Sequence, residues 1–208
     1  MFQLSRPTVA QIAEFLAAQR GSELSYEEVG ATRYGSPPAG YTVDRNRVRL
    51  GVGAEVYRQA VVALRSWRMS TLGWSTIHQE STAVVAGATI AVLLQHYGFW
   101  SLNAARIVYV FDEDTAGVQR TGFAYGTLAD HAEVGEERFV VEWQRADDSV
   151  WYDLYAFSRP GHVLARLGYP IGRGLQKRFA RESKQAMVAA TRESGARENL
   201  ISLAPPSS

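Results

Sequence analysis

The residues best suited to chemistry gather in one stretch, His131-Ala-Glu133-Val-Gly-Glu136-Glu137-Arg138. An imidazole with carboxylates nearby can act as a general acid/base pair or supply metal ligands. The spacing matches no helical His-x3-His or zincin pattern, and no second His lies close in sequence, so no metal or other cofactor is expected. The plainer alternative is a solvated turn entering a strand, with Glu and Arg paired across it. Strand alternation favours the chemical reading in one respect: Glu137 shares a face with Phe139, Val141 and Trp143. If that face lines a cavity, Glu137 is a carboxyl at its mouth, where desolvation raises its pKa. His131 and Glu137 are therefore the candidate catalytic residues.

Ligand contacts are sought among Arg106, Tyr109, Tyr125, Trp74 and Trp143. Arg106 sits among apolar residues in a covered strand and, if buried, needs an anion; Asp153, Glu137 or a ligand carboxylate or phosphate would serve. A structural salt bridge or an exposed edge position is the alternative. The chain has five Trp and ten Tyr; most belong in a core, but a few lining a cavity would suit a flat or lipid-like ligand. Gly122-Phe-Ala-Tyr-Gly126 and Gly51-Val52-Gly53 have neither Walker nor dinucleotide spacing. Glycines inside a strand more often mark a bend or the close approach of another element. Ser66, Ser75 and Ser158 lack the Gly-x-Ser-x-Gly setting of a hydrolase nucleophile. With no cysteine in 208 residues, thiol nucleophiles, disulfides and thiolate metal sites are excluded.

The elements that must position these groups follow from patterning. A helix is expected to open at Ser5-Arg6-Pro7 and stop at Gly21. Residues 24–50 read as extended and turn-rich, with a loop at Gly35–Gly40 and a turn at Arg45-Asn46. A second helix runs from about Gly53 to Trp67. Six strands follow: Thr71–Gln79, Thr82–Gln95, Ala104–Asp112, Val118–Gly126, Glu137–Gln144 and Val150–Phe157. A long amphipathic helix from Leu164 to Met187 closes the series, with Pro170 expected to kink or split it. Strands joined by short turns pair antiparallel. The fold class is thus α+β, a curved antiparallel sheet of about six or seven strands wrapped on the C-terminal helix, with additional N-terminal helices. One domain over 1–196 and a loose tail over 197–208 are expected.

Net charge is +1, so nothing global points to nucleic acid. Residues 159–208 carry nine basic and three acidic side chains, a balance of +6 on a body of −5. A packed helix with a solvated cationic face explains this without an external partner. Only Lys177 and Lys184 are lysines, an arginine skew expected of high-GC bacterial coding. The longest apolar run, Ala83–Leu94, has 12 residues against the roughly 20 a spanning helix needs, so no stable membrane insertion is expected. The N-terminus lacks signal-peptide character, and a cytoplasmic location is expected.

Several stretches together resemble a known family. They are Gly40-Tyr41 with Asp44, Arg106–Val110, Gly122-Phe-Ala-Tyr-Gly-Thr-Leu128, His131 with Gly135-Glu-Glu-Arg-Phe139, Phe157–Pro160 leading into Pro170, and Gln176–Phe179. The chain is similar over roughly residues 24–190 to the bacterial and plant family catalogued as domain of unknown function 1990. Its element order is also similar to the START-like, plant-allergen-type helix-grip superfamily, which implies an apolar cavity between sheet and helix. The family resemblance implies no agreed activity or catalytic residues.

Three functions follow as expectations. The first is binding of an apolar or aromatic small molecule in that cavity. The second is an enzyme on the same scaffold, a cyclase, hydrolase or isomerase, using His131 or Glu137 as general acid/base. The third is an interaction protein in which the Ala83–Leu94 strand or the basic helix forms a partner or homodimer surface.

Overall fold

The computed structural model describes residues 2–35, 38–79, 83–161 and 169–202. The elements are β1 (Phe2–Gln3), α1 (Val9–Gln19), α2 (Ala31–Tyr34), β2 (Thr42–Val52), α3 (Gly53–Arg65), a 3-10 turn (Arg68–Ser70), β3 (Ser75–Gln79), β4 (Thr89–His96), β5 (Phe99–Asp114), β6 (Val118–Thr127), β7 (Glu133–Gln144), β8 (Ser149–Pro160) and α4 (Tyr169–Ser202). The sheet is antiparallel in the order β2-β8-β7-β6-β5-β4-β3, with β1 added on β5. The expected α+β class holds: a curved sheet, a long C-terminal helix and additional N-terminal helices.

Both faces of the sheet are covered. On the inner face, Tyr57, Ala60 and Leu64 of α3 and Met187 and Ala190 of α4 pack on Phe123, Phe139, Val141 and Tyr152. On the outer face, Ile12, Phe15 and Leu16 of α1 pack on Ala91, Leu93, Leu102, Ala104 and Leu128. Each fully buried side chain of this kind contributes about 1.5–3 kcal/mol, so the inner wall is rigid where the two helices press on it.

Local chemistry moves several boundaries. The cap of α1 is Thr8, not Ser5. Its hydroxyl accepts from the Gln11 amide while the Gln11 side chain reaches back to the Thr8 N–H, a reciprocal pairing that Ser5, ahead of Pro7, does not form. The turn expected at Arg45-Asn46 is absent: β2 pairs without interruption from Thr42↔Ser158 to Arg49↔Trp151, exposing Arg45, Arg47 and Arg49 on alternate positions. The strand expected over Thr82–Gln95 begins only at Thr89, because Gly87 takes φ +87° in a turn and bonds to the Ile107 carbonyl. β4 then lies between β3 and β5, so it offers no free edge to a partner.

Pro170 is the second residue of α4 and leaves the helix uninterrupted, because in a first turn its missing N–H has no partner to lose. Leu164 and Leu167, expected in this helix, lie outside the described residues. The helix continues to Ser202, past the Ala196 boundary, through Arg-Glu-Asn-Leu-Ile, which holds no Gly or Pro; residues 203–208 lie outside the described residues. Among the described residues no helix is long and apolar enough to cross a membrane.

Candidate functional site

Between the inner face of the sheet and the first half of α4 lies a cavity of about 400 Å³. Its apolar walls come from Val92 and Leu94 of β4, Leu154 and Ala156 of β8, and Leu175 and Phe179 of α4, with Trp74 alongside. Trp74 is fixed at the wall by its indole N–H, which donates to Glu182 at 2.6 Å, and by the Arg178 guanidinium lying 4.6 Å from its ring centre.

The polar end is built by β6 and β7. Register places Glu137 opposite Tyr125 on β6 and Ala156 on β8, all on the inner face. The Tyr125 hydroxyl donates to the Glu137 carboxylate at 2.5 Å. Burial pushes the Glu137 carboxyl up to about 7; the Tyr125 hydrogen bond opposes the rise, and the charges of Glu133 and Asp44 add to it. Burial, with Glu137 beside it, holds the Tyr125 phenol well above its usual range.

Glu133, on the same face, accepts from the Gln176 amide, which also donates to Ser158 at 2.9 Å; burial raises this carboxyl too. Asp44 takes a two-pronged ion pair from Arg173 of α4 at 2.5 and 2.8 Å. The latter contacts fasten the start of α4 across β2, β7 and β8. Sequence reading does not name Asp44 or Gln176 as site residues, although both lie in stretches that carry the family resemblance; Glu133 lies in the His131–Arg138 stretch but is not put forward there as a site residue.

His131 lines the same cavity. Its Nδ1 lies 3.0 Å from the Glu133 amide nitrogen and 3.1 Å from the Glu133 carbonyl oxygen, contacts that fix the ring orientation. Burial pushes the imidazole down to about 4, so it is neutral at pH 7. No hydrogen bond joins it to Glu137 among the described residues. Nor do His, Asp and Glu form any cluster fit for a metal among the described residues.

Three expected ligand contacts fall elsewhere. Arg106 is on the outer face and spends its guanidinium on the carbonyls of Gln19, Arg20 and Ser22, at 3.2, 2.8 and 2.8 Å, closing the C-terminal end of α1. It needs no anion because those carbonyls are themselves the negative end of a helix. Tyr109 also faces outward. A bulge between Ile107 and Tyr109 reverses the alternation, so its hydroxyl meets Thr32 at 2.7 Å instead of the cavity. Trp143 does share the face of Glu137, but at the far end of β7, where it stacks near Tyr57 of α3 and bonds to Asp148 at 2.7 Å.

The glycine motif has a mechanical reason. Gly122 and Gly126 face outward between the inward Phe123 and Tyr125. A Cβ on Gly122 would lie 2.8 Å from the Phe111 ring, and one on Gly126 would lie 2.1 Å from the Tyr26 hydroxyl. Tyr26 uses that slot to donate to Glu136 at 2.7 Å. The same buried carboxylate accepts from the Gly30 and Thr32 amides at 2.7 and 3.0 Å and from the Thr32 hydroxyl. Adjacent glutamates thus point to opposite faces, Glu136 holding the segment before β2 and Glu137 facing the cavity.

A curved antiparallel sheet gripping a long C-terminal helix, with a cavity between them, defines a helix-grip protein. The chain belongs to the family described as domain of unknown function (DUF1990), whose model matches residues 25–186. It is 34% identical over 206 residues to a UPF0548 protein of Dictyostelium discoideum, covering 91% of this chain and 95% of that one. It is 36% identical over 200 residues to a UPF0548 protein of Deinococcus radiodurans, covering 91% and 98%. Relatives thus occur in bacteria and in eukaryotes. Among solved structures, Ara h 8.0201 aligns over 74% of this chain and 99% of that chain, with a TM-score of 0.47 and 12% identity.

Proposed function

We propose that the protein binds an apolar or aromatic small molecule in the cavity between the sheet and α4, with Tyr125 and Glu137 as its polar anchor. The supporting observation is the Tyr125–Glu137 pair itself, a carboxyl and a phenol 2.5 Å apart at the polar end of a largely apolar cavity. Burying a carboxyl without a cationic partner opposes folding, so its presence there is better explained by an occupant. The volume of about 400 Å³ falls in the range of small-molecule sites. N-phenyl-1-naphthylamine, a neutral apolar dye that brightens out of water, should bind in the micromolar range. Native mass spectrometry of protein purified from its own host should show a co-purifying small molecule. Failure of the dye to bind would sink the reading, and a co-purifying species would support it.

A second reading, an enzyme with Glu137 as general acid/base, is favoured by one observation: a carboxyl raised to about 7 is half protonated at neutral pH, as such chemistry needs. His131, neutral at pH 7, would then orient substrate and would not supply the proton. In an enzyme, E137Q abolishes turnover and keeps ligand; in a binder it changes affinity alone.

A further inference from the structure

The charged groups on the described wall of the cavity share one sign. Glu133, Glu137 and Asp44 contribute carboxylates, whereas no Arg or Lys lines the cavity among the described residues, in a chain with 22 of them. Asp44 is matched by Arg173. Glu137 has a hydrogen bond from a neutral phenol, and Glu133 has hydrogen bonds from the neutral Gln176 amide and Ser158 hydroxyl with Arg173 nearby; among the described residues neither has an ion pair. An occupant carrying a carboxylate or phosphate would meet repulsion at this end, whereas a cation would find two oxygen-rich partners in surroundings that screen little. A second feature on the opposite wall also points to an occupant with polar groups. Ser75 lies on the inner face, opposite Leu94 in the register, is 1% exposed, and its hydroxyl has no hydrogen-bond partner among the described residues. A buried hydroxyl left in that state opposes folding unless a ligand satisfies it.

We infer that the occupant is a protonated amine on an apolar or aromatic frame, its ammonium seated on Glu137 with Glu133 beside it and a further polar group within reach of Ser75. This deepens the binding reading above and rests on it. The aromatic walls suit the same ligand, since Trp74 and Phe179 present ring surface to a cation or to its frame.

The test holds the frame constant and changes the head group: tryptamine, tryptophol and indole-3-propionate compete with N-phenyl-1-naphthylamine at pH 7.5. The ammonium should bind about tenfold to a hundredfold more tightly than the hydroxyl, the range expected of one charge-assisted hydrogen bond, and the carboxylate should bind most weakly. In E137Q the advantage of tryptamine over tryptophol should shrink to about threefold or less while the dye still binds. Equal affinities, a carboxylate preference, or dye binding that none of the three displaces would overturn the amine assignment and leave the cavity reading standing. Failure of the dye itself overturns both.

Calorimetry in buffers of different ionisation enthalpy gives an independent readout on the unaltered protein. The titratable and charged groups around Glu137 are Tyr125 on β6, Glu133 and the neighbouring His131, Asp44 with Arg173, and Tyr152 on β8. Of these, Glu137 is the carboxyl held near 7. Tryptamine binding at pH 7 should therefore release close to half a proton, and tryptophol none. Tryptamine binding without proton release counts against the ammonium–Glu137 pair.

Discussion

Replacing Glu137 by Gln should stabilise the protein at alkaline pH and leave it unchanged at acid pH. The glutamine keeps the shape and still accepts from Tyr125, so what changes is the charge. Glu137 titrates near 7 in the folded protein and near 4.5 when unfolded. Between those values the unfolded chain ionises while the folded chain holds its proton, so the wild type loses stability as pH rises from about 4.5 and has lost all of this contribution just above 7. At 1.36 kcal/mol per unit, the loss is about 3 kcal/mol, which for a chain of this size is about 6–12 °C in Tm. The assay is urea unfolding of both proteins, followed by tryptophan fluorescence at half-unit steps from pH 4 to 8.5. Other titrating groups, His131 among them, act in both proteins, so the difference between the curves isolates Glu137. That difference should be near zero at pH 4, rise between pH 5 and 7, and level off at about 3 kcal/mol. Parallel curves, or an E137Q protein less stable at pH 8, would refute the argument that this carboxyl is held in place at a cost to the fold.

Three further outcomes follow from other contacts. His131, held near 4 against an ordinary 6.5, should take up to about 3 kcal/mol from wild-type stability as pH falls from 6.5 to 4; H131N should flatten that limb of the curve, and an unchanged limb would place the imidazole in water. Gly126→Ala should cost about 3–5 kcal/mol by expelling Tyr26 from its slot and from Glu136. In a Y26A background the same change should cost under about 1 kcal/mol, and additive costs would show that the slot is not what Gly126 provides. Arg106→Met should lower stability by about 1–3 kcal/mol and speed amide exchange in the last turn of α1, with dye binding in the cavity unaffected; loss of dye binding would return Arg106 to the ligand site.

The site was legible where one rule governed it. Period-two alternation along β7 puts Glu137 on the face of Phe139 and Val141, and the structure has it there, opposite Tyr125. The same rule fails for Tyr109, because one extra residue at the Ile107–Tyr109 bulge reverses the face, and nothing in Arg-Ile-Val-Tyr-Val marks where a bulge will form. Arg106 was read as a charge seeking an anion, yet a guanidinium has five donors and is equally satisfied by carbonyls, here those that α1 brings from more than eighty residues away. The Arg45-Asn46 turn was inferred from polar residues that prove to be the solvent face of an edge strand, whose pairing with β8 cannot be seen from residues 42–52 alone. Local patterning thus recovered the elements; the misses at Arg106 and at Arg45-Asn46 involve partners distant in sequence, whereas those at Ser5 and Pro170 are shifts within a helix's first turn.

The adjacent carboxyls Glu136 and Glu137 face opposite sides of one strand and meet opposite surroundings. Glu136 is 2% exposed, yet it is saturated: two hydroxyls and two amides converge on it, and it ties residues 26–32 to the back of the sheet. Among the described residues Glu137 receives one hydrogen bond, from a phenol that is itself buried, and no ion pair. A carboxyl serving only the fold would be supplied with donors as its neighbour is, or replaced by an apolar residue at little loss. Proteins keep underserved buried charges where a ligand completes them. The family's Gly-Glu-Glu-Arg-Phe stretch is then two devices in alternate positions. Gly135, where a Cβ would lie 2.0 Å from the Phe157 carbonyl, lets β8 approach; Glu136 and Arg138 secure the outer face; Glu137 and Phe139 form the inner one. Substitutions at outward positions should therefore change stability, and Glu137 should be the position in this stretch where removing the charge changes what the cavity holds while strengthening the fold.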